Sequence, residues 1–100
     1  MNPRLFVDVD PRNLHLPTTR LAGADLYKLQ RQIARFGASI DGMPPPEVYR
    51  GNDGQFVIYN GVTRATRAAK LLPGQLITVE IVDDLRYSVG HLPTIGSKLS

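Results

Sequence analysis

The chain has no cysteine. That excludes disulfides, thiolate metal sites and every cysteine nucleophile at once, and it agrees with a cytoplasmic location. No apolar run is long enough to cross a bilayer, so no membrane association is expected. Met1-Asn2-Pro3-Arg4 leads directly into a strand-like run, and no signal peptide is expected. Histidine occurs only as His15 and His91, too far apart to form a recognisable metal motif. Net charge is also scarce, at +3. Nine of the twelve cationic residues are arginine, which matches phosphate geometry better than lysine does. By itself, so small a charge is ordinary for a soluble domain.

One hundred residues make one domain with one modest core. Residues 1–84 read as that domain and 85–100 as a C-terminal tail. Leu5-Phe6-Val7-Asp8-Val9 alternates as a strand, and Asp10-Pro11-Arg12-Asn13 ends it as a turn. Asp25 is a good N-cap and Gly37 a good stop, so a helix is predicted over 25–36. Leu26, Leu29, Ile33 and Phe36 form its apolar set, and Lys28, Arg31 and Arg35 a cationic stripe that an ordinary solvated face also explains.

Gly42-Met43-Pro44-Pro45-Pro46 stiffens the entry to a strand at 47–50. Asn52-Asp53-Gly54 is a hairpin turn, and the partner strand returns over 55–60. Phe56-Val57-Ile58-Tyr59 is apolar without a break, which predicts a central strand covered on both faces. A helix over 63–72 follows, then a strand over 76–82 that ends at Asp83-Asp84. The expected fold class is α+β, a small mixed sheet with two main helices packed on it. Its expected core is Leu29, Ile33, Val57, Ala65, Ala68, Leu72, Val79 and Ile81. The tail contains Gly90, Pro93 and Gly96 and has no usable periodicity.

The most informative stretch is Asn60-Gly61-Val62-Thr63-Arg64-Ala65-Thr66-Arg67-Ala68-Ala69-Lys70. A strand, a turn glycine and an Ala-rich helix follow one another there. The first N–H groups of a helix lack internal partners and carry the positive end of its dipole. A glycine lets an anion approach them, and an arginine can close over it. Arg64 and Arg67, three residues apart, are expected near the rim beside Gly61, Val62 and Thr63, where together they describe a phosphate-sized anion site. Exposed helix residues and a turn glycine would leave the same trace.

From Asp53 to Lys70 this order of residues resembles the ParB/sulfiredoxin-like superfamily, and the resemblance extends over roughly residues 5 to 83. ParB-like domains carry an Asp-Gly hairpin, a β-rich strand, Gly-Glu-Arg-Arg and then Arg-Ala-Ala. Sulfiredoxins carry Gly-Cys-His-Arg after a strand entered through Pro-Pro, as Pro45-Pro46-Glu47-Val48 is here. The resemblance implies that Gly61 is the turn glycine and Arg64 the phosphate-contacting arginine, with Arg67-Ala68-Ala69 matching Arg-Ala-Ala. Val62 stands in place of the ParB glutamate and the sulfiredoxin cysteine, and Thr63 in place of an arginine or histidine. Sulfiredoxin activity is excluded, because sulfinic-acid reduction needs a thiolate. Nucleotide hydrolysis is expected to be weak or missing, since Val62 removes the acidic group beside the triphosphate and its metal. There is no counterpart of the later helical motif or the DNA-binding domain of partition proteins, so a full CTP-switched clamp is not expected.

The resemblance thus implies binding of a nucleotide or a nucleic-acid backbone through Gly61, Val62, Thr63, Arg64 and Arg67. No cofactor is specified, although a nucleotide would bring Mg²⁺ with its phosphates. Two other readings stay open: a nuclease or nucleotide phosphohydrolase, and a protein-interaction module without a ligand. For the enzymatic reading, Asp8 and Asp10 end the first strand and Asp83 and Asp84 the last, and a pair of them brought together would hold Mg²⁺. Polar strand ends are the commoner explanation. Tyr49 and Tyr59 offer stacking surfaces for a base, although strand aromatics more often fill a core.

Overall fold

Four strands and two helices form a small α+β domain in the computed structural model, which describes residues 3–99. The strands are β1 (Leu5–Val9), β2 (Glu47–Arg50), β3 (Phe56–Asn60) and β4 (Ile77–Asp84). The helices are α1 (Leu26–Phe36) and α2 (Val62–Leu71). The sheet is mixed, in the order β1-β4-β2-β3. β4 pairs antiparallel with β1 and parallel with β2, and the Asn52–Gly54 turn makes β2 and β3 an antiparallel hairpin.

Alternation along the strands divides the sheet into two faces. Leu5, Val7 and Val9 stand opposite Ile81, Val79 and Ile77 on one face, and Val48 joins them from β2 opposite Ile58 of β3. α2 covers this face with its smallest side chains. Ala65, Ala68 and Ala69 are fully buried against Val48, Ile58, Ile77 and Val79, because alanines let a helix axis approach a sheet closely. α1 leans chiefly on α2 and buries only Leu29. Ile33, expected in the core, is therefore half-buried, and Leu26 and Phe36 are exposed. Leu72 at the end of α2 and Ile81 beside the outer strand β1 are also half-buried.

β3 is not the central strand its unbroken apolar run predicts. It closes one end of the four-stranded order, and its outer edge is covered by irregular chain. His15 N–H donates to the Phe56 carbonyl and Ile58 N–H to the His15 carbonyl. The far side of that segment holds the tail, through Leu16 N–H to Pro93 and Ile95 N–H to Leu14. Leu14, Leu16, Val89 and Ile95 are buried there. The apolar run of β3 reflects this cover over Val57 and Ile58; Tyr59, beyond it, is 58% exposed.

Asp53 anchors the tail from the hairpin turn, accepting from the N–H groups of Val89 and Gly90 through Oδ2 and from Gln55 through Oδ1. His15 is buried, with Nδ1 2.8 Å from the Leu92 carbonyl oxygen. It fastens the tail.

Candidate phosphate site at the start of α2

Gly61 precedes α2 with φ at 107°, a left-handed conformation that only glycine adopts without strain. A side chain here would also collide: a Cβ would lie 2.9 Å from Arg64 Nη2 and 3.0 Å from Pro46 Cβ. The turn is tight because Arg64 folds back over it. Its Nε donates to the Pro44 carbonyl at 3.1 Å and its Nη2 to that of Pro45 at 3.5 Å. The proline run thus does more than enter β2. Its carbonyls, held in extended geometry, hold the arginine head. A guanidinium has five N–H donors, and these two bonds leave three of Arg64 without a partner among the described residues. Burial lowers the Arg64 pKa and Glu47 opposes the shift; the group stays cationic at physiological pH.

No side chain caps α2, and the first backbone bond at its start is Ala65 N–H to the Gly61 carbonyl. The N–H groups of Val62, Thr63 and Arg64 are the orphan donors of the first turn. α1 differs, since its own cap Asp25 accepts from Lys28 N–H at 3.0 Å. The start of α2 opens into a cleft of about 330 Å³ walled by Arg20, Lys28, Gln32, Tyr59 and Asn60. Among the described residues Asp25 is the one carboxylate lining it, and its bond to Lys28 N–H, chief among the causes, lowers its pKa. A cleft with uncapped N–H groups, an arginine and a lysine suits an anion. It has little to offer a bare divalent cation, so Mg²⁺ would have to be carried by a ligand's own phosphates.

Arg67 does not reach this cleft. It is 3% exposed rather than at the rim, because i and i+3 positions are about 60° apart and the second turn of α2 already faces inward. Its Nη1 donates to the carbonyls of Gly37 and Ser39, its Nη2 to Met43 Sδ, and its head lies 5.2 Å from the Phe36 ring centroid. It ties the loop after α1 to α2.

The strand-end carboxylates do not converge either. Antiparallel pairing sets Asp8 opposite Thr78, whose hydroxyl donates to it at 2.7 Å, while Asp83 and Asp84 lie at the other end of β4. Asp84 is held by Arg50 at 2.6 Å. Among the described residues no three His, Asp or Glu side chains group to hold a metal.

Sequence reasoning missed two parts of the cleft. Arg20 comes from a short 3-10 turn with no helical pattern of its own. Lys28 was visible in the stripe on α1, but nothing in its spacing places it across from Thr63. One signal was available: α1 and α2 together hold six of the twelve cations and no carboxylate. No known family model matches this chain, and no curated protein matches it.

Proposed function

We propose that this domain binds a phosphorylated ligand, a nucleotide or a nucleic-acid backbone, at the start of α2, as a member of the ParB/sulfiredoxin-like superfamily. The observation that carries the reading is the free donor set around Gly61: three N–H groups on Arg64 without a partner among the described residues, beside an uncapped helix start. A phosphate oxygen in the cleft meets backbone N–H groups of Val62 to Arg64, the Thr63 hydroxyl and the guanidinium, with Arg20 and Lys28 supplying longer-range attraction. Arg67 contributes indirectly, by holding the loop that leads to Pro44 and Pro45.

The domain acts as a binding module. Val62 supplies no acid, base or metal ligand, and Asp25 is committed to capping α1. An anion cradle without such a group binds ground state and transition state alike.

The test is thermal unfolding with pyrophosphate, CTP, ATP and GTP, each with and without Mg²⁺. A ligand-dependent rise in Tm that is lost in Arg64→Ala is expected. Equal protection of the variant and the parent would place binding elsewhere.

A further inference from the structure

The phosphate cleft continues in two directions. It shares Pro17, Thr19 and Tyr59 with a cleft of about 480 Å³ on the outer face of the sheet. It shares Lys28, Gln32 and Thr63 with a groove of about 300 Å³ between α1 and α2. The three form one path around the end of β3, and its two ends differ in chemistry.

The sheet end is aromatic. The β2–β3 register skips Tyr59, so that Tyr59 and Asn60 together oppose Glu47, and such a bulge re-aims the side chain it carries. Tyr59 meets Tyr49 with ring centroids 5.0 Å apart and remains 58% exposed. Tyr87, 61% exposed, lines the same cleft. Rings this open, side by side, have more face available than the protein itself uses.

The helical end is cationic. Lys28, Arg31 and Arg35 follow one face of α1 over about 10 Å of axis. None of them has a carboxylate within ion-pair distance among the described residues. Arg31 and Arg35 rest on the rings of Tyr27 and Phe36, at 5.7 and 5.2 Å, which holds their heads in place.

Charge is uneven between the helices and the rest of the chain. The two helices carry six cations and no carboxylate, so the rest of the chain has six cations against nine carboxylates, a balance of −3. Asp83 stands opposite Tyr49 in the β2–β4 register. Phosphate is therefore repelled from the tyrosines and drawn to the helices, whereas a neutral base is accepted on the rings.

We propose that this path binds single-stranded nucleic acid, with bases on Tyr59 and Tyr49 and phosphates running past Thr63 to Lys28, Arg31 and Arg35. The proposal rests on the phosphate reading above for its middle step. A single strand presents a flat ring and an anion in every unit, which matches a path with stacking faces at one end and cations at the other. A duplex keeps its bases stacked inside and cannot offer them to the tyrosines.

The experiment is fluorescence anisotropy of the full chain with labelled oligothymidylate and oligouridylate of about 12 nucleotides, against a duplex of the same length and against heparin. Preference for the single strand over the duplex by about tenfold or more is expected. Tyr59→Ala should weaken it by roughly 5- to 150-fold, and Tyr59→Phe should retain it. Replacing Lys28, Arg31 and Arg35 together by alanine should reduce the salt-dependence slope by about 2. Should Tyr59→Ala not fold, Tyr59→Leu, which keeps bulk and removes the aromatic face, takes its place. Equal binding of duplex and single strand, or heparin-like binding indifferent to Tyr59, overturns the proposal.

Pyrophosphate protection is measured in parallel. Protection lost in Arg64→Ala, with no oligonucleotide bound, overturns the proposal and leaves the phosphate site standing. Tyr59-dependent binding of single strands that is indifferent to Arg64→Ala supports the path and removes the phosphate site from it.

Discussion

Arg67 Nη1 donates to the Ser39 carbonyl oxygen at 2.6 Å, from a side chain that is 3% exposed. Twenty-eight residues separate the two in the chain. This buried guanidinium joins α2 to the loop leading into β2, and so holds in place the proline carbonyls that anchor Arg64.

Loss of Arg67 should therefore cost stability. Arg67→Met removes charge-assisted bonds from a buried guanidinium to the carbonyls of Gly37 and Ser39, a loss of about 2–4 kcal/mol. Arg67→Lys should recover only part of it, because an ammonium has neither a second nitrogen for Met43 Sδ nor a planar head to lie against the Phe36 ring. Urea denaturation measures both, and a midpoint unchanged in Arg67→Met would show the clamp to be idle.

Arg64→Ala should weaken phosphate binding by about 1.5–3 kcal/mol, the worth of one charge-assisted contact. Folding should change less, since the bonds lost to Pro44 and Pro45 lie at a partly exposed site. Titration calorimetry with pyrophosphate gives the first quantity and urea denaturation the second.

Gly61→Ala is expected to destabilise by about 1–3 kcal/mol. The left-handed φ of 107° costs any other residue, and the new methyl must displace Arg64 or Pro46. Ligand affinity should fall with it, because the displaced Arg64 head is the proposed anion contact. A variant as stable as the parent would mean that the turn relaxes freely.

Acid should loosen the tail. Burial raises the Asp53 pKa, but the N–H groups of Gly90, Gln55 and Val89 outweigh it, and the net shift is downward. A carboxyl lowered in the folded state contributes stability above its unfolded pKa of about 3.9, lost as pH falls through the lower folded value. Glu80 beside Arg4 and Asp84 beside Arg50 are lowered too, chiefly by those side-chain bonds, and act in the same sense. Amide exchange at Val89 and Gly90 should rise relative to the core between neutral pH and pH of about 3. In Asp53→Asn that rise should be much smaller; an equal rise would assign the acid sensitivity to the other carboxylates.

Hydrolysis of CTP, ATP or GTP with Mg²⁺ should be slow or undetectable, because Val62 at the start of α2 neither binds metal nor positions water. Phosphate release by the parent, Val62→Glu and Arg64→Ala measures this. Robust turnover by the parent that disappears in Arg64→Ala would make the domain an enzyme.

The elements were legible because each is specified within a few residues. Asp25 and Gly37 bracket α1 by capping chemistry, and Asn52-Asp53-Gly54 folds β2 onto β3. β1 and β2 run over the predicted residues, and β4 continues two residues beyond its prediction, through Asp83 and Asp84, because it pairs with β2 on its second side. The glycine turn before α2 and the uncapped helix start were likewise readable from Gly61 and its neighbours.

What the tertiary structure alone decided were the destinations of side chains. Apolar content announced that β3 is covered but not that the cover is His15 and the tail, more than forty residues away on one side and more than thirty on the other. Spacing put Arg64 and Arg67 on one helix, yet the sheet beneath α2 and the loop after α1 drew Arg67 inward and, among the described residues, left Arg64 donors free. Register separated Asp8 from Asp83 by most of the length of β4, and a bulge turned Tyr59 outward beside Tyr49. Propensity and capping are local energies, readable from neighbours in the chain. Strand order, register and burial come from contacts between residues tens of positions apart, which a one-dimensional pattern does not carry.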